Sequence, residues 1–482
     1  MKIAEYASYD ALGLAELVAK KQVTPKELAD TAAAAIALAK PKVGAVVETY
    51  PDRITSLDEK SLGNGPFRGV PFLMKDVFGH EKGRKCEFAS KLCEGMVTEV
   101  DSYMTTQLRA AGVNILGRSA APEYSMSPTT ETRFYGNTST PWKHGHSAGG
   151  SSGGAQAAVM SGMVPIAHGS DIGGSIRIPA SWCGGVGLKP SRGRVSVGPT
   201  VDEGGLGYSA NHVQTRTVRD CAAMLDCLSH PQIGDPFIIP KPTESYASLA
   251  KKPAGKLRVG IVLNPICGVE TDPEVRHAVH DAGKQLEAMG HHVDLAPVEM
   301  GGIQMLDTIN EIFFFAFDLR LDAYGKKTGR KPSAETLEPH MLMIYEWSKS
   351  ITPARFMAAM GAANVARRSA AKFFAKHDIW LSPTTANVSP PWGTYNLSKP
   401  GVTIDRFAKE MFAPAVQHTI PHNLMGTPAI SLPLAMHSTG LPIGVQLAAK
   451  PADEHVILQL ATALEQAMPW SGRVPPLHVS KL

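Results

Sequence analysis

Two serines that each follow a pair of glycines are the residues of this chain best suited to covalent chemistry. Ser151 follows Gly149-Gly150, and Ser175 follows Gly173-Gly174. Paired glycines let a ligand approach the backbone closely and allow backbone angles that a side chain would forbid. A serine hydroxyl is a poor nucleophile until a base removes its proton during the attack. The pattern therefore indicates acyl transfer through a serine, provided that the chain also supplies a base.

Lys75 is the candidate base, and it follows the apolar segment Gly69–Met74. A lysine can accept a proton only when it is neutral, which requires burial or a nearby positive charge to lower its pKa. The apolar segment favours a desolvated amine. We therefore expect Ser175 to attack a carbonyl carbon, with Ser151 relaying the proton to Lys75.

The residues around Ser175 also favour an oxyanion hole. Consecutive backbone N–H groups that point at one position stabilise the negative charge that develops on a carbonyl oxygen during attack. Removing one such donor typically slows an enzyme roughly 100-fold or more. The predicted donors are the backbone N–H groups of Ile172, Gly173, Gly174 and Ser175.

Other kinds of site compete with this hypothesis. The glycine-rich segment 149–154 could be a flexible loop or a phosphate-binding loop. The Walker pattern needs Gly-Lys-Ser/Thr, however, and neither this segment nor 185–189 supplies it. His144, His146 and His168 lie close in sequence to the serines, and in a histidine-based triad one of them would be the base.

The candidate site residues lie in a chain whose segments alternate between strand and helix patterns. Gly69–Met74 is predicted to be a buried strand that ends at Lys75. Residues 257–263, 272–289 and 292–295 predict a strand, a helix and a second strand. Alternation of this kind predicts an α/β fold, in which a mixed central β-sheet is covered on both faces by α-helices.

The remaining segments complete the predicted organisation. Residues 1–60 are expected to be a helical segment packed on the body, and residues 61–482 a single α/β domain. Strand-like segments at 429–433 and 441–447 flank a Ser-Thr-Gly turn and predict a hairpin. A closing helix is expected over 453–468.

The segment from Gly149 to Arg194 resembles the signature of the amidase family. The match includes both glycine-serine motifs and the run Gly184-Xaa-Xaa-Gly187-Xaa-Lys189-Pro190-Ser191-Xaa-Gly193-Arg194. The segment around Lys75 is similar to the separate lysine motif of the same family. The resemblance extends from about residue 10 to the C-terminus and is most specific between residues 145 and 194.

The resemblance implies a Ser-cisSer-Lys triad. In that triad Ser175 is the nucleophile, Ser151 the bridging serine and Lys75 the base. It also implies a cis peptide bond between Gly150 and Ser151. A triad of this kind replaces a catalytic histidine, so the nearby histidines are expected to be loop or core residues.

The same resemblance assigns supporting roles. Ser152 is expected to be a hydrogen-bond partner at the start of the following helix, while Asp171 and Arg177 brace the loop that carries Ser175. No metal and no organic cofactor are implied. The pattern is similar to bacterial hydrolases of small linear or cyclic amides, so we expect a small, partly apolar amide as substrate, with esters or carbamates as related substrates.

Two other functions stay open. The A-type subunit of a tRNA-dependent amidotransferase uses the same triad to release ammonia from glutamine. Such subunits carry an acidic glutamine-binding residue where this chain has Val416. A non-catalytic family member that acts as a binding scaffold would usually have lost a triad residue, and here all three residues are present.

An aromatic patch at residues 312–317 is a candidate for the substrate pocket. Phe313 and Phe317 are predicted to share one helix face, for which core packing is the default explanation. The resemblance implies that residues 230–400 contribute a variable substrate-pocket region. We therefore hypothesise that Phe313 and Phe317 line an apolar pocket.

Composition limits the partners and the location. The 482 residues carry a formal net charge of only +4, and no dense Lys/Arg run is present, so a nucleic-acid partner has little support. No apolar run is long enough to predict a membrane span. The six cysteines include no CxxC pair, which favours reduced thiols in a cytoplasmic protein. A homodimer is the expectation that the family resemblance supplies.

Overall fold

The computed structural model describes residues 1–78, 80–201, 203–302, 304–396, 398 and 401–482. Its strands are β1 (Val46–Thr49), β2 (Pro71–Lys75), β3 (Asn114–Ser119), β4 (Glu131–Thr132), β5 (Gly136–Asn137), β6 (Ile166–Asp171), β7 (Val186–Lys189), β8 (Ala210–Thr215), β9 (Arg258–Ile261), β10 (His292–Leu295), β11 (Ile379–Pro383), β12 (Ala429–Met436) and β13 (Pro442–Ala448). Within the described residues, eleven strands form one sheet in the order β1-β3-β2-β6-β8-β7-β12-β13-β11-β9-β10. The short strands β4 and β5 pair separately.

The large sheet is mixed. Strands β3, β2 and β6 run parallel at one end, and β11, β9 and β10 run parallel at the other. The strands between these groups pair antiparallel, including the predicted hairpin of β12 and β13. This architecture confirms the predicted α/β fold class.

Helices flank the sheet. The α-helices are α1 (Ile3–Tyr6), α2 (Ala11–Ala19), α3 (Pro25–Val43), α4 (Pro51–Ile54), α5 (Tyr103–Ala111), α6 (Gly153–Met160), α7 (Arg177–Cys183), α8 (Val218–Leu228), α9 (Tyr246–Leu249), α10 (Pro273–Ala288), α11 (Gln304–Phe314), α12 (Phe317–Thr328), α13 (Pro339–Ser348), α14 (Pro353–Ala371), α15 (Phe373–Lys376), α16 (Ile404–Arg406), α17 (Ala413–Val416), α18 (Ile420–Met425) and α19 (Glu454–Ala467). Helix α6 packs on β2, β6 and β8, while α10 packs on β9, β10 and β11. Each helix that the structure describes is too short or too polar to cross a membrane.

Local sequence signals explain where several helices begin. Thr24 accepts a hydrogen bond from the backbone N–H of Glu27, whose side chain binds the Thr24 backbone in return, and this capping box starts α3. Asp272 caps α10 by accepting from two backbone N–H groups. The start of α10 agrees with the helix predicted over 272–289, and both caps satisfy N–H groups that lack a partner within the helix.

The N-terminal segment differs from its prediction. Residues 1–60 contain four α-helices, as expected, but also strand β1, which pairs antiparallel with β3 at the edge of the large sheet. Strand β3 includes Gly117. Glycine is needed at this position because a Cβ there would lie 2.2 Å from the backbone oxygen of Glu48 on β1. The pairing of β1 with β3 therefore makes part of the N-terminal segment a strand of the sheet.

The aromatic patch at 312–317 also departs from its prediction. Phe313 and Phe317 do not share one helix face, because α11 ends at Phe314 and α12 begins at Phe317. Ala316 separates the two helices with a positive φ of 56°. Neither glycine nor proline marks this break, so nothing in the local sequence signals it.

A Leu→Ala substitution is expected to lower the free energy of unfolding more at the centre of the sheet than at its edge. Leu447 on β13 is fully buried, whereas Leu295 on the edge strand β10 is 66 % exposed. Leu447→Ala is expected to lower the free energy of unfolding by ~2–5 kcal/mol, since it leaves a cavity. Leu295→Ala, the matched control, is expected to change it by less than ~0.5 kcal/mol. Urea unfolding followed by circular dichroism measures both, and equal losses would contradict the described packing.

Candidate active site

Two parallel strands bring the first candidate residues together. Strands β2 and β6 are neighbours with Phe72 opposite Ile166, and Lys75 is the last residue of β2. The end of β6 carries Ser170 and Asp171, and the loop with Ser175 follows directly. Carboxyl ends of parallel strands meet at one edge of a sheet, which is where sites in such folds form. The fold thus places Lys75 beside the nucleophile loop.

Lys75 is buried and binds two serines. Its Nζ lies 2.7 Å from the Ser151 Oγ and 2.9 Å from the Ser170 Oγ, and the residue is 1 % exposed. Burial lowers the pKa of Lys75 to about 7, against the opposing effect of the Asp171 charge. A large share of Lys75 is therefore neutral near neutral pH, and a neutral amine can accept a proton.

The loop before α6 places Ser151 against the loop of Ser175. The peptide bond between Gly150 and Ser151 is cis, as the family resemblance implies. The backbone N–H of Ser152 donates to the carbonyl oxygen of Ser175 at 3.2 Å. Both serines are buried, and Ser175, with 9 % of its surface exposed, is the less buried of the two. Among the described residues, the Ser175 hydroxyl has no hydrogen-bond partner, and the step from Ser151 to Ser175 is not a hydrogen bond in this conformation.

The backbone around Ser175 offers free donors. The Gly174 N–H donates to Asp171 Oδ1 at 2.8 Å, so it is occupied. The N–H groups of Ile172, Gly173 and Ser175 bind no acceptor in the part of the chain that is described. Gly174 has φ of +141°, and a Cβ there would lie 2.4 Å from the Thr419 Oγ1. Three of the four predicted oxyanion donors are thus without an acceptor in the described residues. The fourth, the Gly174 N–H, binds Asp171 and stabilises the loop.

Asp171 and Arg177 form a buried ion pair beneath this loop. Arg177 donates to Asp171 through Nε and one terminal nitrogen, both at 2.9 Å, and both side chains have no exposed surface. Arg177 also donates to the Thr419 carbonyl, Gln446 and Asn423 at 2.7, 2.8 and 2.7 Å. The predicted bracing residues therefore tie the nucleophile loop to α18 and to strand β13.

Electrostatics keep Asp171 ionised. Burial alone would raise its pKa, but the charge and hydrogen bonds of Arg177 outweigh burial and lower the pKa to about 2. Asn423 adds a hydrogen bond to Asp171 Oδ1 at 2.9 Å. A carboxylate held in this way orients the Gly174 and Ile176 N–H groups, which donate to it at 2.8 and 3.2 Å.

Sequence reasoning missed Ser170, the second partner of Lys75. The backbone N–H of Ser170 donates to the Ser152 Oγ at 3.2 Å, which also gives the predicted supporting residue Ser152 a contact in the site. Ser170 is 5 % exposed. Its position just before the nucleophile loop, at the carboxyl end of a buried strand, was the signal that could have identified it.

Two histidines lie near Lys75, and the sequence singled out only one of them. The rings of His80 and His168 pack edge to face with centroids 4.5 Å apart. Burial and the neighbouring Lys75 lower the pKa of His80 to about 4, and burial likewise lowers the pKa of His168. Both rings are therefore neutral at pH 7. His144 instead binds the Lys42 carbonyl at 3.0 Å, on the protein surface.

The two predicted pocket phenylalanines lie in different surroundings. Phe313 is partly buried, and its ring centroid lies 5.6 Å from that of Tyr208. The Tyr208 carbonyl accepts a hydrogen bond from Asn423, so Phe313 is one residue removed from the ion-pair network. Phe317 is 3 % exposed and packs on Phe314. Their role in substrate binding stays a prediction.

The described residues include no cluster of three or more His, Cys, Asp or Glu side chains that could hold a metal ion. The groups that these residues bring together for chemistry are serines, a lysine and backbone N–H groups. A buried lysine in contact with one serine, next to a second serine whose loop has free N–H groups, is an arrangement for acyl transfer.

This fold and this site define a class of hydrolase, and a comparison with protein families agrees. Residues 27–458 match the family described as Amidase. The chain therefore belongs to the amidase family, and it is an enzyme that hydrolyses amide bonds.

Individual relatives cover nearly the whole chain. A 6-aminohexanoate-cyclic-dimer hydrolase from Paenarthrobacter ureafaciens is 35 % identical over 97 % of this chain and 96 % of that protein. A solved structure of 6-aminohexanoate cyclic dimer hydrolase with bound substrate matches with a TM-score of 0.92 at 34 % identity, over 98 % of this chain and 99 % of that one. The A-type subunit of a glutamyl-tRNA(Gln) amidotransferase from Picosynechococcus sp. is 31 % identical over 96 % of this chain and 98 % of that protein.

The buried ion pair makes a testable prediction about stability. Asp171→Asn keeps the shape of the side chain but leaves the Arg177 charge buried without its partner. The free energy of unfolding is expected to fall by ~3–5 kcal/mol.

Asp378→Asn is the matched control. Asp378 also has a pKa lowered to about 2, by a hydrogen bond from Arg258, but this pair lies at the surface. Solvent screens such a pair, so the loss is expected to be much smaller. Urea unfolding of both variants at pH 7 measures the difference, and similar losses would show that burial of the Arg177 pair is not what stabilises the loop.

Proposed function

We propose that the enzyme hydrolyses small amides through an acyl-enzyme on Ser175, with Ser151 as the proton relay and Lys75 as the base. The observation that carries this proposal is the 2.7 Å contact between Lys75 Nζ and Ser151 Oγ. Burial of Lys75, whose pKa is lowered to about 7, supports its role as a base. An ordinary lysine would be almost fully protonated at pH 7 and could not accept a proton.

Acylation begins with attack of the Ser175 Oγ on the carbonyl carbon of the amide. The Ser175 proton moves to Ser151 while the Ser151 proton moves to the neutral Lys75. The N–H groups of Ile172, Gly173 and Ser175 then stabilise the oxyanion of the tetrahedral intermediate. Collapse of this intermediate breaks the carbon–nitrogen bond, and the proton returns from Lys75 through Ser151 to the leaving amine.

Deacylation uses the same groups with water in place of Ser175. Lys75, neutral again, draws a proton from the attacking water through Ser151, and the same N–H groups bind the second oxyanion. Collapse releases the carboxylic acid and returns the proton to Ser175. Ser170 keeps the Lys75 amine in place, and Asp171 and Arg177 keep the N–H groups aligned, so these residues act by positioning.

The surroundings of the oxyanion donors support a partly apolar substrate. A Cβ placed on Gly173 would lie 3.6 Å from Ile420 and 3.8 Å from Phe412, which leaves room beside the Gly173 backbone under apolar side chains. Ile172 is partly buried in the same hydrophobic cluster. The names of the hydrolase relatives, which refer to a small amide, support a small amide here. Esters and carbamates would pass through similar tetrahedral intermediates.

The environment of Val416 argues against release of ammonia from glutamine. Val416 occupies the position at which A-type amidotransferase subunits carry an acidic residue for glutamine. Its side chain is 1 % exposed and packs in an apolar cluster with Ile420 and Leu424. A glutamine ammonium group would find no carboxylate on this residue. Amide hydrolysis is therefore better supported than the amidotransferase reaction.

We further propose that the protein is cytoplasmic and forms a homodimer. Within the described residues, Cys93, Cys183, Cys221, Cys227 and Cys267 form no disulfide bond, and all of these but Cys227 are buried, which is usual for a protein in a reducing compartment. The homodimer is proposed because the family resemblance implies one. We also propose that residues 61–482 act as one α/β domain, with 230–400 supplying the variable part of the substrate pocket.

A serine-directed reagent tests the assigned roles. Incubation with a fluorophosphonate is expected to add one adduct to the wild type, as measured by intact mass. Ser175→Ala should form no adduct, and Lys75→Ala should form it at least ~100-fold more slowly, because general-base catalysis is lost.

Ser161→Ala provides the control for these variants. The Ser161 hydroxyl is buried at the end of α6 and donates to backbone carbonyls of its own helix. Its adduct should form at the wild-type rate. An adduct that persists in Ser175→Ala would mean that a different serine is the nucleophile.

A further inference from the structure

A cavity of about 540 Å³ lies next to the candidate active site. Its lining includes His80, whose pKa responds to the Lys75 charge, and Gly205, which lies next to Ile172. The lining also includes Arg320 and Tyr324 of α12. Residues that adjoin the catalytic machinery and a helix that has no part in the proposed chemistry therefore line the same cavity.

Arg320 is the one charged group at pH 7 among the described residues that line this cavity. His80, the other titratable base in the lining, is neutral because its pKa is lowered to about 4. Arg320 and Tyr324 are one helical turn apart, so they lie on the same face of α12. A single cation in the lining of a cavity favours the binding of an anion there.

Within the described part of the chain, Arg320 has no ion-pair partner. Its guanidinium carbon lies over the Phe317 ring, 5.7 Å from the ring centroid. Two charged neighbours on the same helix do have polar partners, since Lys327 binds Glu99 and Asp322 binds Tyr345. Arg320 is itself exposed, so the hydrogen-bond donors of its guanidinium are accessible to a ligand, and guanidinium geometry suits a carboxylate.

The rest of the lining is uncharged and contains both apolar and polar side chains. Asn211 is on β8 and contacts His168 Nε2 through its Oδ1, and its amide N–H₂ group has no partner among the described residues. The hydroxyls of Ser209 and Tyr324 are likewise unpaired within that set. Neutral donors of this kind can bind the carbonyl oxygens of an extended amide while leaving the anion to Arg320.

We propose that Arg320 determines specificity by binding a free carboxylate of the substrate, so that the preferred substrate is a linear amide with a carboxylate remote from the bond that is cleaved. Because this proposal depends on the proposed function, its test must separate binding from turnover. The carboxylate is expected to raise affinity about tenfold, which is ~1.4 kcal/mol. Charge-assisted hydrogen bonds commonly contribute that much.

Binding to the Ser175→Ala variant tests this without any turnover. Two pairs of ligands are compared by calorimetry, one with the carboxylate on the acyl side and one with it on the amine side. The first pair is the mono-p-nitroanilide of adipic acid and the p-nitroanilide of hexanoic acid. The second pair is N-hexanoyl-γ-aminobutyrate and N-butylhexanamide. In one of the pairs the acid is expected to bind about tenfold more tightly than its neutral partner.

Substitution of Arg320 in the same background must remove that preference. Ser175→Ala with Arg320→Ala should bind acid and neutral ligand equally, with the affinity for the neutral ligand unchanged, which also shows that the variant is folded. Arg320→Lys should retain part of the preference. Lys326→Ala is the matched control, because it removes an exposed charge from the same helix outside the cavity lining, and it should keep the full preference.

Turnover by the wild-type enzyme then separates the two proposals. Hydrolysis of the neutral p-nitroanilide that Ser175→Ala abolishes supports the proposed function, whichever way Arg320 behaves. Equal binding of acid and neutral ligand in both pairs, or a preference that survives Arg320→Ala, would overturn the role of Arg320.

Discussion

Burial of the Lys75 amine is the constraint on which the rest of the site depends. A protonated lysine without water around it is costly, and the structure offers Lys75 two neutral hydroxyls instead of a carboxylate. Asp171 lies close enough to act on the Lys75 charge, but its oxygens are held by Arg177. The ion pair therefore cannot serve Lys75 as a full counter-charge. The amine is left near the point of losing its proton, which is the condition that a lysine base requires.

The fold satisfies this constraint by holding Lys75 and the neighbouring loop of Ser175 in place. On one side, β2 and β6 run parallel and bring Lys75 to Ser170 at the same sheet edge. On the other side, Arg177 links the loop after β6 to residues that are about 240 to 270 positions later in the chain. Segments that are distant in sequence thus stabilise the loop of Ser175 together, and its N–H groups are oriented before a substrate binds. Such preorganisation is the main source of transition-state stabilisation in acyl transfer.

Much of this could be predicted from the sequence, and the failures have physical reasons. Paired glycines before Ser151 and Ser175 mark positions where the backbone must come close to a ligand, so local sequence was informative there. Ser170 was missed because its contact with Lys75 is made across two strands, so that only its position at the carboxyl end of a strand could have indicated it. The helix break at Ala316 was missed because alanine rarely adopts a positive φ, and only tertiary packing holds it there. Occupation of the Gly174 N–H by Asp171 likewise depends on three-dimensional contacts.

The pH dependence of the rate at which a fluorophosphonate modifies Ser175 tests the role of Lys75 most directly. A base acts when it is deprotonated, so the rate should rise with pH through a single ionisation near pH 7 and then level off. In Lys75→Met this ionisation should be absent and the rate low at every pH. A wild-type profile that is flat, or one that rises only near the ordinary lysine value of 10.5, would contradict a neutral buried Lys75 as the base.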